Sequence, residues 1–170
     1  KPRVTFDLGV SLPKGGKMDE IVRQLTELGV SSISPLFSEH GEVANVENRI
    51  GAKMEKWSRI AKEACKQSGN SWLPTIQKPR SFDQWLQDLP SDGIRLIGCL
   101  GHHAVSVSSL PQSSATDIAF AIGPEGGFSE KEEQYAESTG FIPVRFGPHT
   151  LKVETAAICA LAVACEKFGV

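Results

Sequence analysis

The run Ile118-Ala119-Phe120-Ala121-Ile122 leads into Gly123-Pro124-Glu125-Gly126-Gly127-Phe128, and the helix-capping pattern Ser129-Glu130-Lys131-Glu132 follows directly. Five apolar residues with no polar alternation make a strand buried on both faces, which requires helices on both sides of its sheet. The glycines then turn the chain into a helix. This unit sets the fold class, because a doubly covered strand feeding a helix belongs to a parallel α/β sheet.

The remaining segments follow suit. Val4, Phe6, Leu8 and Val10 alternate with Thr5, Asp7 and Gly9, the period of a strand, before Pro13-Lys14-Gly15-Gly16 breaks it. Met18, Ile21, Val22, Leu25 and Leu28 form one helical stripe ending at Gly29. Residues 30–37 read as a strand ending near Pro35, and a second amphipathic helix spans about Arg49 to Gln67 with Gly69 as its stop. Ser81-Phe82-Asp83-Gln84 caps a short helix through Trp85 and Leu89, and Ile94 to Leu100 is a compact strand ending at Gly101-His102-His103. The capped helix after Ser129 stops at Gly140, residues 141–146 form a strand, and Ala157, Ile158, Leu161, Ala164, Cys165 and Phe168 mark a final amphipathic helix. The expectation is an α/β fold, a parallel sheet with helices on both faces, forming one domain over residues 1–170 without repeats. Ligands of such sheets bind outside the carboxyl ends of the strands, which selects the loops after Leu100, Ile122 and Phe146.

Composition bounds the function classes. A chain of 170 residues with 40% apolar and 22% charged content can build a real core, and its longest apolar run is far short of the roughly 20 residues that span a bilayer. Cys65, Cys99, Cys159 and Cys165 show no C-x-x-C spacing, so they read as reduced thiols of a cytoplasmic protein, with Cys65, Cys159 and Cys165 on buried helix faces. The net charge of −2 lacks the basic excess usual for nucleic-acid binding, which would leave phosphate contacts to a local cluster such as Lys14, Lys17, Arg23 and Lys152 or to another domain. The chain opens Lys1-Pro2-Arg3, without methionine or signal sequence, as a piece of a longer protein would.

The glycine loop can approach a ligand closely and offer it backbone N–H donors. It has neither the Gly-Lys-Ser/Thr ending of a nucleotide P-loop nor the G-x-G-x-x-G dinucleotide pattern, so a nucleoside without polyphosphate suits it better. Spacing leaves a plain strand-to-helix turn equally open. His102 and His103 suggest no metal site, since adjacent histidines on an extended loop point apart and no third ligand is placed by the sequence.

Several motifs in order narrow the choice. Ile122-Gly123-Pro124-Glu125-Gly126-Gly127-Phe128-Ser129 and residues 146–157, Phe146-Gly147-Pro148-His149-Thr150-Leu151-Lys152-Val153-Glu154-Thr155-Ala156-Ala157, resemble the paired cofactor loops of the RsmE family of SPOUT methyltransferases. Leu12-Pro13-Lys14-Gly15-Gly16-Lys17-Met18, Leu25-Thr26-Glu27-Leu28-Gly29-Val30 and Glu63-Ala64-Cys65-Lys66-Gln67-Ser68-Gly69 are similar to the same family in order and spacing. The resemblance implies S-adenosylmethionine-dependent methylation of uridine N3 in 16S ribosomal RNA, a C-terminal deep trefoil knot, a homodimer, and an RNA-binding domain ahead of the segment seen here. It also implies a cofactor pocket of Leu100, Gly123, Glu125, Gly126, Gly127, Phe146, Gly147, Pro148 and Leu151; the candidates toward RNA are the basic residues Lys14, Lys17, Arg23 and Lys152 together with His149.

Deprotonating the uridine imide needs a general base, and Glu154 is the candidate by position; the alternative is a carboxylate that merely suits the first turn of a helix. His149 and Lys152, like His40 and Asn70, stand where the family usually carries arginine, which removes the planar donor fork that grips phosphate or base. Two further functions therefore stay open: a non-catalytic RNA-binding or ribosome-assembly module, and a sibling enzyme acting on a ribose 2′-hydroxyl or on tRNA.

Overall fold

A computed structural model describes residues 2–41, 50–101 and 103–169. In chain order the elements are β1 (Thr5–Ser11), α1 (Met18–Glu27), β2 (Ser32–Phe37), α2 (Ile50–Ser68), β3 (Thr75–Ile76), β4 (Arg80–Ser81), α3 (Phe82–Asp88), β5 (Ile94–Gly98), β6 (Val105–Ser106), β7 (Asp117–Ile122), α4 (Glu130–Ser138), β8 (Ile142–Arg145) and α5 (Val153–Phe168). The strands form one sheet in the order β3-β2-β1-β7-β5-β8-β6, with β4 also on β2, and every pairing is parallel. This is the expected layered architecture.

The two faces are packed differently. Phe6, Leu8 and Val10 of β1 and Ile118, Phe120 and Ile122 of β7 join α1, α2 and α5 in one core, while Ala119 and Ala121 face α3 and α4 in the other. The small residues on the second face make room for Trp85, which is fully buried. A Cβ on Gly9 would stand 2.8 Å from the Trp85 ring and from Leu36 Cδ1, so β1 carries glycine there because the indole lies on its backbone. Phe82 stacks on Phe128 with centroids 4.4 Å apart, joining this core to the end of the glycine loop.

Helix starts follow local chemistry. Ser129 Oγ accepts from Glu132 N–H while Glu132 Oε2 accepts from Ser129 N–H, a reciprocal capping box, and Ser81 Oγ accepts from Gln84 N–H at the start of α3. Four features depart from the sequence reading. β2 runs through Pro35 to Phe37, because Pro35 falls in the register gap between β3, paired with Ser32 and Ile33, and β4, paired with Leu36 and Phe37. β5 ends at Gly98, two residues short of Leu100. The two-residue strands β3, β4 and β6 are too short to leave a periodic trace. Finally, the thiol that is buried is Cys99, and Cys65, Cys159 and Cys165 are half-exposed. Arg49, the expected start of α2, lies outside the described residues.

Asp7 sits among the second core's residues. Its Oδ1 accepts from Trp85 Nε1 and Ser34 Oγ, both at 3.4 Å, yet burial dominates and lifts its carboxyl above 3.8. The folded state thus holds this proton more tightly than the unfolded state, so the contribution of Asp7 to stability is fully present below pH 3.8 and is lost as pH rises through the folded pKa. An Asp7→Asn chain should resist urea better than the parent at pH 7, with the advantage shrinking as the pH approaches 4; an advantage that grows on acidification would contradict the burial argument.

Candidate active site

Three loops leave the carboxyl ends of β5, β7 and β8 and enclose a cleft of about 840 Å³, closed by the Ser106–Ser108 stretch and one side of α5. That volume suits a nucleoside-sized ligand. Of the residues assigned to a cofactor, Leu100, Gly123, Glu125, Gly127, Phe146, Gly147, Pro148 and Leu151 line it, as does His149. Gly126 does not: a side chain there would meet the His40 ring at 3.6 Å instead. Gly98, Cys99 and Arg145, at the ends of β5 and β8, and Val107 also line the cleft; the sequence offered no sign of Val107 because the β6–β8 pairing that brings the 105–108 stretch over is only two residues long.

The glycine loop is built tightly. Gly127 N–H donates to Pro124 O at 2.9 Å, closing a four-residue turn, and Gly127 carries the chain out of that turn with a left-handed φ of +74°. A Cβ on Gly127 would point at Leu100 Cδ1, 3.8 Å away across the cleft, and one on Gly123 would crowd Phe128 N at 3.0 Å. His40 Nδ1 lies 3.2 Å from Gly127 O, bracing the loop from outside. Leu100, 63% exposed, forms an apolar lip opposite.

Charge at the rim is organised around Lys17. Its Nζ donates to Glu125 Oε1 at 3.0 Å and stands 3.8 Å from Glu154 Oε2. Glu125's own backbone N–H, then the Lys17 ammonium, hold its carboxyl below the usual 4.5. Glu154 is in the first turn of α5 and does not line the cleft; its Oε2 is shielded from water with no hydrogen-bond partner among the described residues. Lys14 acts on Glu125 only electrostatically, Arg23 pairs with Glu20 at 3.9 Å on α1, and Lys152 is exposed at the N-cap of α5. The basic residues named from the sequence are therefore dispersed over separate elements.

Behind the β5 loop, Cys99 Sγ accepts from Gly101 N–H at 3.2 Å and donates to Glu133 Oε2 at 3.6 Å. Burial pushes up both the Cys99 thiol and the Glu133 carboxyl, so the thiol stays protonated and is no nucleophile. His103 Nε2 is 3.4 Å from Glu137 Oε1, and His102 lies outside the described residues. Among the described residues, no group of three or more His, Cys, Asp or Glu is arranged to hold a metal ion, and no helix is long and apolar enough to cross a membrane.

Known proteins share this architecture. The model of the RNA methyltransferase domain family matches residues 1–165. The ribosomal RNA small subunit methyltransferase E of Synechocystis is 35% identical over 158 residues, 91% of this chain and 51% of that protein, so the chain spans about half of that relative's length. A ribosomal RNA small subunit methyltransferase E from Neisseria gonorrhoeae, solved with S-adenosyl methionine bound, superposes with a TM-score of 0.89 at 31% identity, covering 97% of this chain and 67% of that one. A methyltransferase from Legionella pneumophila, solved in complex with the same cofactor, gives 0.89 at 33% identity, covering 96% and 66%. The family match over nearly the whole length and the common parallel α/β fold lead to one conclusion: the chain belongs to the RNA methyltransferase domain family, on the branch whose relatives are named ribosomal RNA small subunit methyltransferase E.

Proposed function

We propose that this chain is the catalytic domain of a cytoplasmic, S-adenosylmethionine-dependent enzyme that methylates uridine N3 in 16S ribosomal RNA. The observation that carries the reading is the cleft built from the three carboxyl-end loops, in a fold that its relatives use to hold S-adenosylmethionine. Bound there, the cofactor supplies a methyl group already activated on a sulfonium. The chain's own task is then positioning and proton removal.

Gly123, Gly127 and Gly147 let backbone groups approach a flat nucleoside, while Leu100, Phe146, Pro148 and Leu151 give it apolar walls. Glu154, in the first turn of α5 beside the cleft, is assigned to accept the proton of the uridine imide; its Oε2 has no hydrogen-bond partner among the described residues and must turn toward the cleft to reach that proton. His149 at the cleft mouth and the exposed Lys14 and Lys152 face the RNA, with Arg23 on the flank.

Two architectural expectations belong to the same reading. A deep trefoil knot is supported by the strand order, in which β8 lies between β5 and β6, the position a chain passed through the loop joining those two strands would take. α5 then packs on β1 and β7 against the 107–109 turn, where Lys167 Nζ donates to Ser108 O at 3.2 Å. A homodimer is supported by exposed Val105 and Ile142, apolar residues on the neighbouring strands β6 and β8 at one end of the sheet. Of the alanines of α5, Ala157, Ala160 and Ala164 are fully buried in the first core, whereas Ala162 is exposed.

Calorimetric titration with S-adenosylmethionine tests the reading, and a folded chain that takes up none at millimolar cofactor would refute it. Mass-spectrometric mapping of 16S rRNA from cells with and without the gene should show one 3-methyluridine that depends on it. Cofactor binding without any gene-dependent methylation would favour the non-catalytic RNA-binding module, the reading to which the histidine and lysine at 149 and 152 point.

A further inference from the structure

The Lys17 side chain meets three separate parts of the fold. It leaves the chain just before α1, donates to Glu125 on the cleft wall, and faces Glu154 at the start of α5. The two carboxylates come from segments 29 residues apart in sequence, 125 and 154, and the same ammonium bridges them. With its head group held by Glu125 and Glu154, Lys17 is poorly placed to serve as a simple phosphate contact.

We propose that Lys17 is a positioning residue that ties the cofactor loop to the Glu154 carboxylate, so that the cleft and the proton acceptor are held in one arrangement. This inference rests on the methyltransferase reading. The physical reason is the unequal placement of the two acids. Glu125 lies on the cleft wall and has the short bond, whereas Glu154 is off the wall and its inner oxygen has no hydrogen-bond donor within 3.5 Å among the described residues. At 3.8 Å the lysine is a long, weak partner for that oxygen, acting on it chiefly through charge. Glu154 thereby keeps an oxygen available for a proton while its position is set from outside the cleft. A ligand that shifts Glu125 shifts the lysine, and through it Glu154.

The test compares the full chain with its Lys17→Met and Lys17→Arg variants, reading S-adenosylmethionine affinity by calorimetry and methyl transfer to 16S rRNA by kcat and KM separately. Thermal melts confirm that each variant is folded. Lys17→Met should weaken cofactor binding and lower kcat roughly tenfold or more, the scale on which misplacing a reacting group costs rate, with the KM for RNA unchanged. Lys17→Arg, which keeps charge and reach, should restore most of kcat. Adding Glu154→Gln to Lys17→Met should cost less than the two losses combined, because both act through one contact.

A raised KM for RNA with unaltered kcat would overturn the inference and return Lys17 to a phosphate-binding role. So would independent, fully additive losses in the double variant. If the parent chain binds no cofactor, the proposed function falls and this inference with it; if the parent binds and Lys17→Met binds equally well, only this inference falls.

Discussion

A Gly127→Val chain is expected to remain folded and to lose S-adenosylmethionine binding by roughly a hundredfold or more, the combined effect of backbone strain and a blocked cleft. Gly127 holds a φ of +74°, a conformation that a β-branched residue adopts only under strain. Its side chain would also project toward Leu100 and narrow the mouth from the inner side. Gly126→Ala supplies the contrast. It changes a neighbouring glycine in the same motif, but its Cβ has ordinary van der Waals space beside His40 and faces no part of the cleft. Calorimetry should find its affinity close to that of the parent. Equal losses at the two positions would show that the loop acts through overall flexibility and not through the wall described here.

The largest effect on stability is expected at Trp85. Replacing this fully buried indole by alanine removes the centre of the second core and should destabilise the chain by about 3–5 kcal/mol, read as a lowered urea midpoint. The loss has two parts. The cavity opens over Gly9, whose backbone has no side chain to fill it, between Leu36, Phe82 and Phe141. Asp7 also loses the Trp85 Nε1 donor, which leaves its carboxylate to the weaker serine hydroxyls, Ser34 and Ser32. Because Phe82 stacks on both Trp85 and Phe128, the damage should reach the end of the glycine loop and weaken cofactor binding even in the folded fraction. A destabilised variant with parental affinity would show that the loop is held independently of this core.

Much of the fold was legible because it rests on local rules. The uninterrupted run at 118–122 could be buried on both sides only as an inner strand, and it pairs on both edges, with β1 and β5. The serines at 81 and 129 cap their helices through side-chain oxygens, a contact made within four residues and therefore readable from four residues. Pro35 misled because a proline is penalised only where a ladder bond is lost, and whether one is lost depends on which neighbour lies outside β2. The exposure of Cys65, Cys159 and Cys165 was likewise a matter of which helix faces found partners.

The candidate site divides along the same line. By itself the sequence determined the glycine loop, its place after a buried strand and the residue types able to wall a cleft, because these follow from periodicity, turn chemistry and motif order. Tertiary structure alone decided which of those residues face the cleft. Gly126 and Gly127 are adjacent, yet one looks toward His40 and the other toward Leu100, since a single left-handed φ reverses the direction of the chain. It also decided that Lys17 meets Glu125 and Glu154, residues 108 and 137 positions further along. Ion pairs between distant segments depend on how α1, the β7 loop and α5 pack together, and no local pattern in the sequence records that packing.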